Sequence, residues 1–185
     1  MSLLARVQRG RTPKPPRILL YGGEGTGKTT FGSQAPKPIF VPTEDGQDAI
    51  TSGKFPLATR YDDVIAALTE LRNQPHDYET VVIDSLDWLE RLIWDKLCGQ
   101  YGASSIEKVD GGYARGYMHA LSDWRDIIDH LNALRHDRNM VVLLIAHAKV
   151  ERFEDPESFG HPRRLQEASG HRRDRQRQPR EDSVN

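Results

Sequence analysis

The sequence predicts a three-layer α/β fold built on a mainly parallel sheet. Two observations carry this. Short runs apolar throughout alternate with longer segments in which apolar residues recur every three or four positions. The apolar runs also end in glycine or acidic residues, as strands do at a ligand-facing edge. Strands that are apolar on both faces belong in a sheet covered on both sides, and alternation with helices makes that sheet parallel.

The elements follow in order. "RTPKPP" is basic and proline-rich, a lead-in within residues 1–15. "RILLYG" (17–22) reads as a buried strand, followed by a helix that begins near Lys28 and ends before "APKP". "PIFVPTEDG" (38–46) is a second strand that stops at an acidic turn. "YDDVIAALTELRNQ" (61–74) places Val64, Leu68 and Leu71 on one helical face. "TVVIDS" (80–85) is a third strand, and "LDWLERLIWDKL" (86–97) a helix with Leu86, Leu89, Ile93 and Leu97 on one side. The segment 99–116 reads as a long loop. The helix over 114–137 is expected to bury Tyr117, Leu121, Trp124, Ile128 and Leu131, and "MVVLLIAH" (140–147) is a fourth strand.

Composition narrows the class. Apolar residues make up 37% and charged residues 29%, which suits a globular chain. A net charge of −1 gives no chain-wide basicity to draw nucleic acid, although a local patch can hide within it. No apolar stretch approaches a membrane span and no leader pattern is evident, so a cytoplasmic location with no membrane partner is expected. The single cysteine, Cys98, excludes an internal disulfide and reads as helix packing.

The chemistry concentrates in "GGEGTGKTT". Gly22-x-x-x-x-Gly27-Lys28-Thr29 fits the P-loop pattern G-x-x-x-x-G-K-[ST]. A triphosphate needs many donors pointing inward, which consecutive backbone amides in a bare loop supply. The following helix would aim its first N–H groups at the same anion. The nucleotide-binding residues are expected to be Gly22, Gly23, Glu24, Gly25, Thr26, Gly27, Lys28, Thr29 and Thr30, with Lys28 reaching the β- and γ-phosphates. ATP and Mg²⁺ are the expected cofactors. Thr29 and Asp84, the latter ending an apolar strand, are the expected metal ligands. Asp84 can also be read as a helix cap.

Hydrolysis needs a group that polarises water. Ser85 follows Asp84, so that group must lie elsewhere, and Glu44 at the end of the second strand is the candidate general base. The alternative is a solvated acidic turn. His147 ends the fourth strand and is the candidate γ-phosphate sensor, so the catalytic set is Glu44, Lys28 and His147. The other six histidines show no metal-ligand spacing and are assigned to the surface.

The succession "GGEGTGKTTF", "FVPTEDG", "TVVIDSLDWLERLIWDKLC", "GYARGYMHALSDWRDIIDHLNALR" and "MVVLLIAHAKVERFEDPE" resembles the phage-type RecA-like P-loop ATPases, including the short RecA-core single-strand annealing proteins. The resemblance implies a RecA-like P-loop NTPase core over 16–157. It also implies Mg-dependent ATP hydrolysis stimulated by single-stranded DNA, in recombination, annealing or replication, and weak in an isolated chain. Implied partners are single-stranded DNA, further copies in a ring or filament, and a phage single-strand-binding protein. Arg115, in "GGYARGY", is implied as a DNA or subunit contact, with a solvated helix start as the alternative. A small-molecule or nucleoside kinase and a non-hydrolysing nucleotide-binding remnant remain alternative functions.

Beyond "FEDPE" the pattern departs from that family. Residues 151–185 hold eight arginines and no lysine. The expectation for 158–185 is a disordered, functionless tail left by a frameshift or truncation, with a basic nucleic-acid-binding arm as the alternative. In the RecA-like strand order the last edge strand is then lacking, which leaves "RILLYG" with an open edge.

Overall fold

The computed structural model describes residues 3–7, 10, 13–47 and 50–148. All lie in the unit Met1–Lys149; the unit Val150–Asn185, and with it every expectation for the tail, lies outside the described residues. Five strands form one parallel sheet: β1 (Arg17–Gly22), β2 (Pro38–Pro42), β3 (Gly53–Lys54), β4 (Thr80–Asp84) and β5 (Val141–His147). Their spatial order is β1-β5-β4-β2-β3. The helices are α1 (Lys28–Ser33), α2 (Tyr61–Asn73), α3 (Leu86–Tyr101) and α4 (Arg115–Asp137), with 3-10 helices at Leu3–Arg6 and Ile106–Gly111. This is the α/β P-loop core that the sequence predicts. The two-residue β3 is too short to leave a periodic signal.

Side chains alternate across the strands and feed two cores. Ile39, Val41, Val81, Ile83 and Val142 face one side, where α2, α3 and α4 contribute Leu68, Ile93 and Leu134. Phe40, Val82, Leu143 and Ile145 face the other. There α1 lies close: a Cβ on Gly32 would come within 3.2 Å of Phe40 and 3.3 Å of Val82. The central strand β4 is buried along its whole length, which explains its unbroken apolar sequence.

Three expectations need correction. First, β1 is not a buried strand. It lies at the sheet end with β5 as its only partner among the described residues, and Leu19 is 57% exposed. Among the described residues its outer edge is unpaired, as the strand order anticipated. Second, α4 is rotated relative to the predicted stripe. Gly116, Ala120, Ile127, Leu131 and Leu134 are buried, whereas Tyr117, Leu121 and Ile128 are 40–46% exposed. Small residues at 116 and 120 let the helix approach its neighbours closely, so they take the inner face although larger apolar side chains stand beside them. Ile128 turns instead to a groove lined by Ile18, Leu19, Val142 and Leu144. Third, 99–116 is not one loop. Helix α3 runs on to Tyr101, and Ile106 and Val109 of the intervening 3-10 helix are buried.

Of the histidines assigned to the surface, only His136 is exposed among those described. His76, His119 and His130 are partly buried, each with a polar partner on Leu71, Asp110 or Asp126. His161 and His171 lie outside the described residues. Cys98 is a free thiol packed against the larger core.

Gly116 tests the packing of α4. A Cβ there would stand 2.1 Å from the Ile106 carbonyl oxygen, which is backbone and cannot rotate away. Gly116→Ala is expected to cost about 2–3 kcal/mol and to lower Tm by roughly 5–10 °C. Gly99→Ala, in a helix with open space around it, should be neutral or stabilising by up to about 1 kcal/mol. Thermal melts of the two variants check the difference. For the open edge, the expectation is concentration-dependent self-association of the chain, reduced by Leu19→Lys in light scattering.

Candidate functional site

Parallel pairing sets the register of the strand ends. Gly22 pairs with His147, and Asp84 with both Ile145 and Pro42. The C-terminal ends of β1, β5, β4 and β2 therefore form one row, and the P-loop, His147, Asp84 and Glu44 emerge along it.

The loop after β1 has the backbone that its glycines imply. Gly25 and Gly27 adopt φ of +70° and +82°, a region that disfavours any Cβ. The Thr26 hydroxyl donates to the Gly23 carbonyl at 2.9 Å and tightens the loop from within. Lys28 is only 7% exposed, and its ammonium donates to the carbonyls of Gly22 at 3.0 Å and Gly23 at 2.8 Å. Its charge is thereby held over the loop. Glu24 and Thr30 are exposed on the flanks. Helix α1 has six residues, so anion attraction must come mainly from the loop amides and Lys28 rather than from a long macrodipole.

Asp84 is buried at the end of β4. Its Oδ2 accepts from Gln47 Nε2 at 3.1 Å, while the buried Oδ1 has no hydrogen-bond partner among the described residues. Burial raises its carboxyl above the usual range, opposed first by the Thr29 hydroxyl, then by His147, Gln47 and Lys28. A buried carboxylate oxygen left unmatched beside a threonine hydroxyl fits a hard divalent cation, so Thr29 and Asp84 could hold Mg²⁺. Among the described residues, no group of three or more His, Cys, Asp or Glu side chains forms a metal cluster of its own.

Glu44 is held by two neighbouring strands. The Thr43 amide donates to the Asp84 carbonyl at 2.8 Å and the Thr43 hydroxyl to the Ser85 carbonyl at 2.6 Å. These bonds fasten the end of β2 to the end of β4. The Ser85 hydroxyl then donates to Glu44 Oε2 at 3.3 Å, and His147 Nε2 stands 3.8 Å from Oε1. Burial raises the Glu44 carboxyl; His147 works against that rise, while Asp84 adds to it. A carboxylate so placed is a better proton acceptor than a solvated one.

The structure thus brings together Lys28, Thr29, Asp84, Glu44 and His147. It leaves Arg115 to its own loop, where the guanidinium donates to the Asp110 carbonyl at 3.1 Å. Sequence reading missed Gln47, Thr43 and Asp87. Asp87 Oδ2 accepts from both the His147 amide and the His147 ring. Only a strand-end acidic turn hinted at Gln47, and nothing in the local sequence links Asp87 to a residue sixty positions away.

A parallel sheet with this loop and carboxylate row defines a P-loop nucleotide-binding core. A family model described as an AAA domain matches residues 14–172, and the chain belongs to that family. Membership makes it, in general terms, a domain of the nucleotide-binding ATPase class. The chain is also similar to the SPbeta prophage-derived uncharacterized protein YorG of Bacillus subtilis (strain 168), with 24% identity over 152 residues. The similarity covers 80% of this chain and 44% of that protein, so the chain spans less than half the length of its curated relative. No helix among the described residues is long and apolar enough to cross a membrane.

The raised Glu44 carboxyl gives a stability prediction with a defined sign. A carboxyl that titrates higher in the folded state favours folding while protonated. That advantage fades as pH rises from the unfolded value through the folded one. Glu44→Gln does not ionise, so its Tm relative to the parent chain is expected to rise as pH climbs from the ordinary glutamate range at about pH 4 toward neutrality and above. A Tm difference that stays flat over that range would contradict the burial of Glu44.

Proposed function

We propose that this chain is a Mg-dependent, RecA-like ATPase that acts on single-stranded DNA in phage recombination, annealing or replication. The observation that carries the ATPase half is the convergence of Ser85 and His147 on the Glu44 carboxylate, in the strand-end row that also holds Lys28 and Asp84. In this reading the loop amides and Lys28 bind the phosphates. Thr29 and Asp84 hold magnesium, which supplies positive charge against the phosphate oxygens when bound. Glu44 orients the attacking water and accepts its proton, with Ser85 fixing the carboxylate. His147, at the end of β5 and facing Glu44, senses the γ-phosphate.

The DNA half has separate support. The sequence resembles phage RecA-like proteins, and the relative named above is described as prophage-derived. Tyr113 is 94% exposed, beside Arg115 at the start of α4. An exposed aromatic ring two residues from an arginine suits base stacking and phosphate contact. A ring or filament would let a neighbouring copy add a basic group to the site, so the isolated chain should turn over slowly. A phage single-strand-binding protein fits the same setting as a partner.

Calorimetry and a turnover assay test this reading. ATP with magnesium should bind the parent chain and Glu44→Gln alike, and Lys28→Ala should bind far more weakly. Glu44→Gln should lose about 100-fold or more in turnover. Single-stranded DNA should raise turnover, and Tyr113→Ala with Arg115→Ala should shrink the ratio of stimulated to unstimulated rate. Binding without turnover in the parent chain would point to a nucleotide-binding remnant, and phosphate transfer to a nucleoside would point to a kinase.

A further inference from the structure

The proposed catalytic row contains a carboxylate that has no part in the reading above. Asp87 lies in the first turn of α3, a position where a negative charge commonly serves the helix. Here its carboxylate does something more specific. Oδ2 accepts from the His147 amide at 2.7 Å and lies 3.1 Å from His147 Nδ1. Both hydrogen bonds that the structure gives to this carboxylate therefore come from one residue on another element.

The chemistry of that contact settles the ring. A carboxylate oxygen only accepts, so Nδ1 must carry the proton. A lone pair on Nδ1 would face negative charge at hydrogen-bond distance. With Nδ1 protonated and tied to Asp87, the opposite nitrogen, Nε2, is turned toward Glu44 Oε1 at 3.8 Å. That separation exceeds a direct hydrogen bond, so the ring stands beside the carboxylate without bonding to it. The Ser85 hydroxyl, in the N-cap position of α3, makes no bond to that helix and donates to Glu44 instead. The start of α3 thus sends one side chain to Glu44 and a second to the histidine facing it.

We propose that Asp87 is a positioning residue of this site: through its paired bonds to the amide and ring of His147, it fixes the Nδ1–H tautomer and directs Nε2 toward Glu44. The proposal deepens the ATPase reading and rests on it only where turnover is measured. The same two bonds make an unusual demand on an amide replacement. In Asp87→Asn the side-chain NH₂ cannot face the His147 N–H, so the carbonyl oxygen must turn there and accept from both donors. Asn should therefore preserve the tautomer, and Ala should not.

Two measurements on the full chain test this. Long-range ¹H–¹⁵N NMR reads the His147 tautomer directly, with His147→Gln assigning the signal. Steady-state turnover with ATP and magnesium reads kcat and KM. The expected result is an Nδ1–H ring in the parent chain and in Asp87→Asn, and a shift toward Nε2–H in Asp87→Ala. In Asp87→Ala, kcat should fall roughly 10- to 100-fold with KM for ATP little changed, and Asp87→Asn should recover most of the loss. An unaltered tautomer in Asp87→Ala overturns the proposal. So do equal losses of kcat in Asn and Ala, which would assign Asp87 to the charge at the helix start. If the parent chain shows no turnover, the ATPase reading fails by itself, and the NMR comparison still decides whether Asp87 sets His147.

Discussion

The parallel register of β1, β5, β4 and β2 is the constraint on which the rest of the molecule depends. Parallel strands all finish at the same edge, and the pairings Gly22 with His147 and Pro42 with Asp84 bring four chain segments to one line. Each segment is short of ligand chemistry alone. Aligned, they set a loop of bare amides and a buried ammonium beside three carboxylates and an imidazole. Backbone hydrogen bonds beyond the strands prolong the alignment: the Ala148 amide still donates to the Gly22 carbonyl at 3.0 Å, and the Thr43 amide to that of Asp84. The row is therefore held by the rigid part of the fold, which is where pre-organised polar groups are most effective.

Crowding Glu44, Asp84 and Asp87 into a partly dry edge is electrostatically unfavourable, and the site tempers this in three ways. Gln47 and Ser85 donate to the carboxylates. Lys28 and His147 supply or can supply positive charge nearby. Asp87 stays half-exposed, where water screens it. The buried Asp84 Oδ1 remains unmatched. An oxygen left in that condition marks a place where binding a cation removes a cost already present in the protein.

The opposite lesson comes from β1. Its run Ile18–Leu20 is as apolar as the middle of β5, yet the two differ in cover. Two flanking strands surround β5, whereas among the described residues β1 has a partner on one side, and the groove between it and α4 is lined by Ile18, Leu19 and Ile128. Composition records that a strand belongs to a sheet of this kind. It does not record how much of the sheet a given stretch of chain builds.

The backbone of this protein was legible to a large degree because its signals are local. The limits of β1, α2 and α4 follow the sequence pattern to within a residue or so, and the glycine-rich loop, Lys28 and the strand-end Asp84 and Glu44 mark a candidate phosphate site through residue type and spacing. The sequence does not fix the α4 stripe because periodicity gives two adjacent apolar faces on that helix, and volume chooses between them: Gly116 fits against Ile106 and Val109, and Ala120 is buried on the same face, while Tyr117 and Leu121 stay exposed. The sequence by itself determined the order of the four longer strands and four helices, the glycine-rich loop and the strand-end carboxylates, since each depends on neighbours in the chain. Only the tertiary structure decided which helical face is buried, and that Asp87 meets His147, because those outcomes depend on strand register and close packing between residues far apart in sequence.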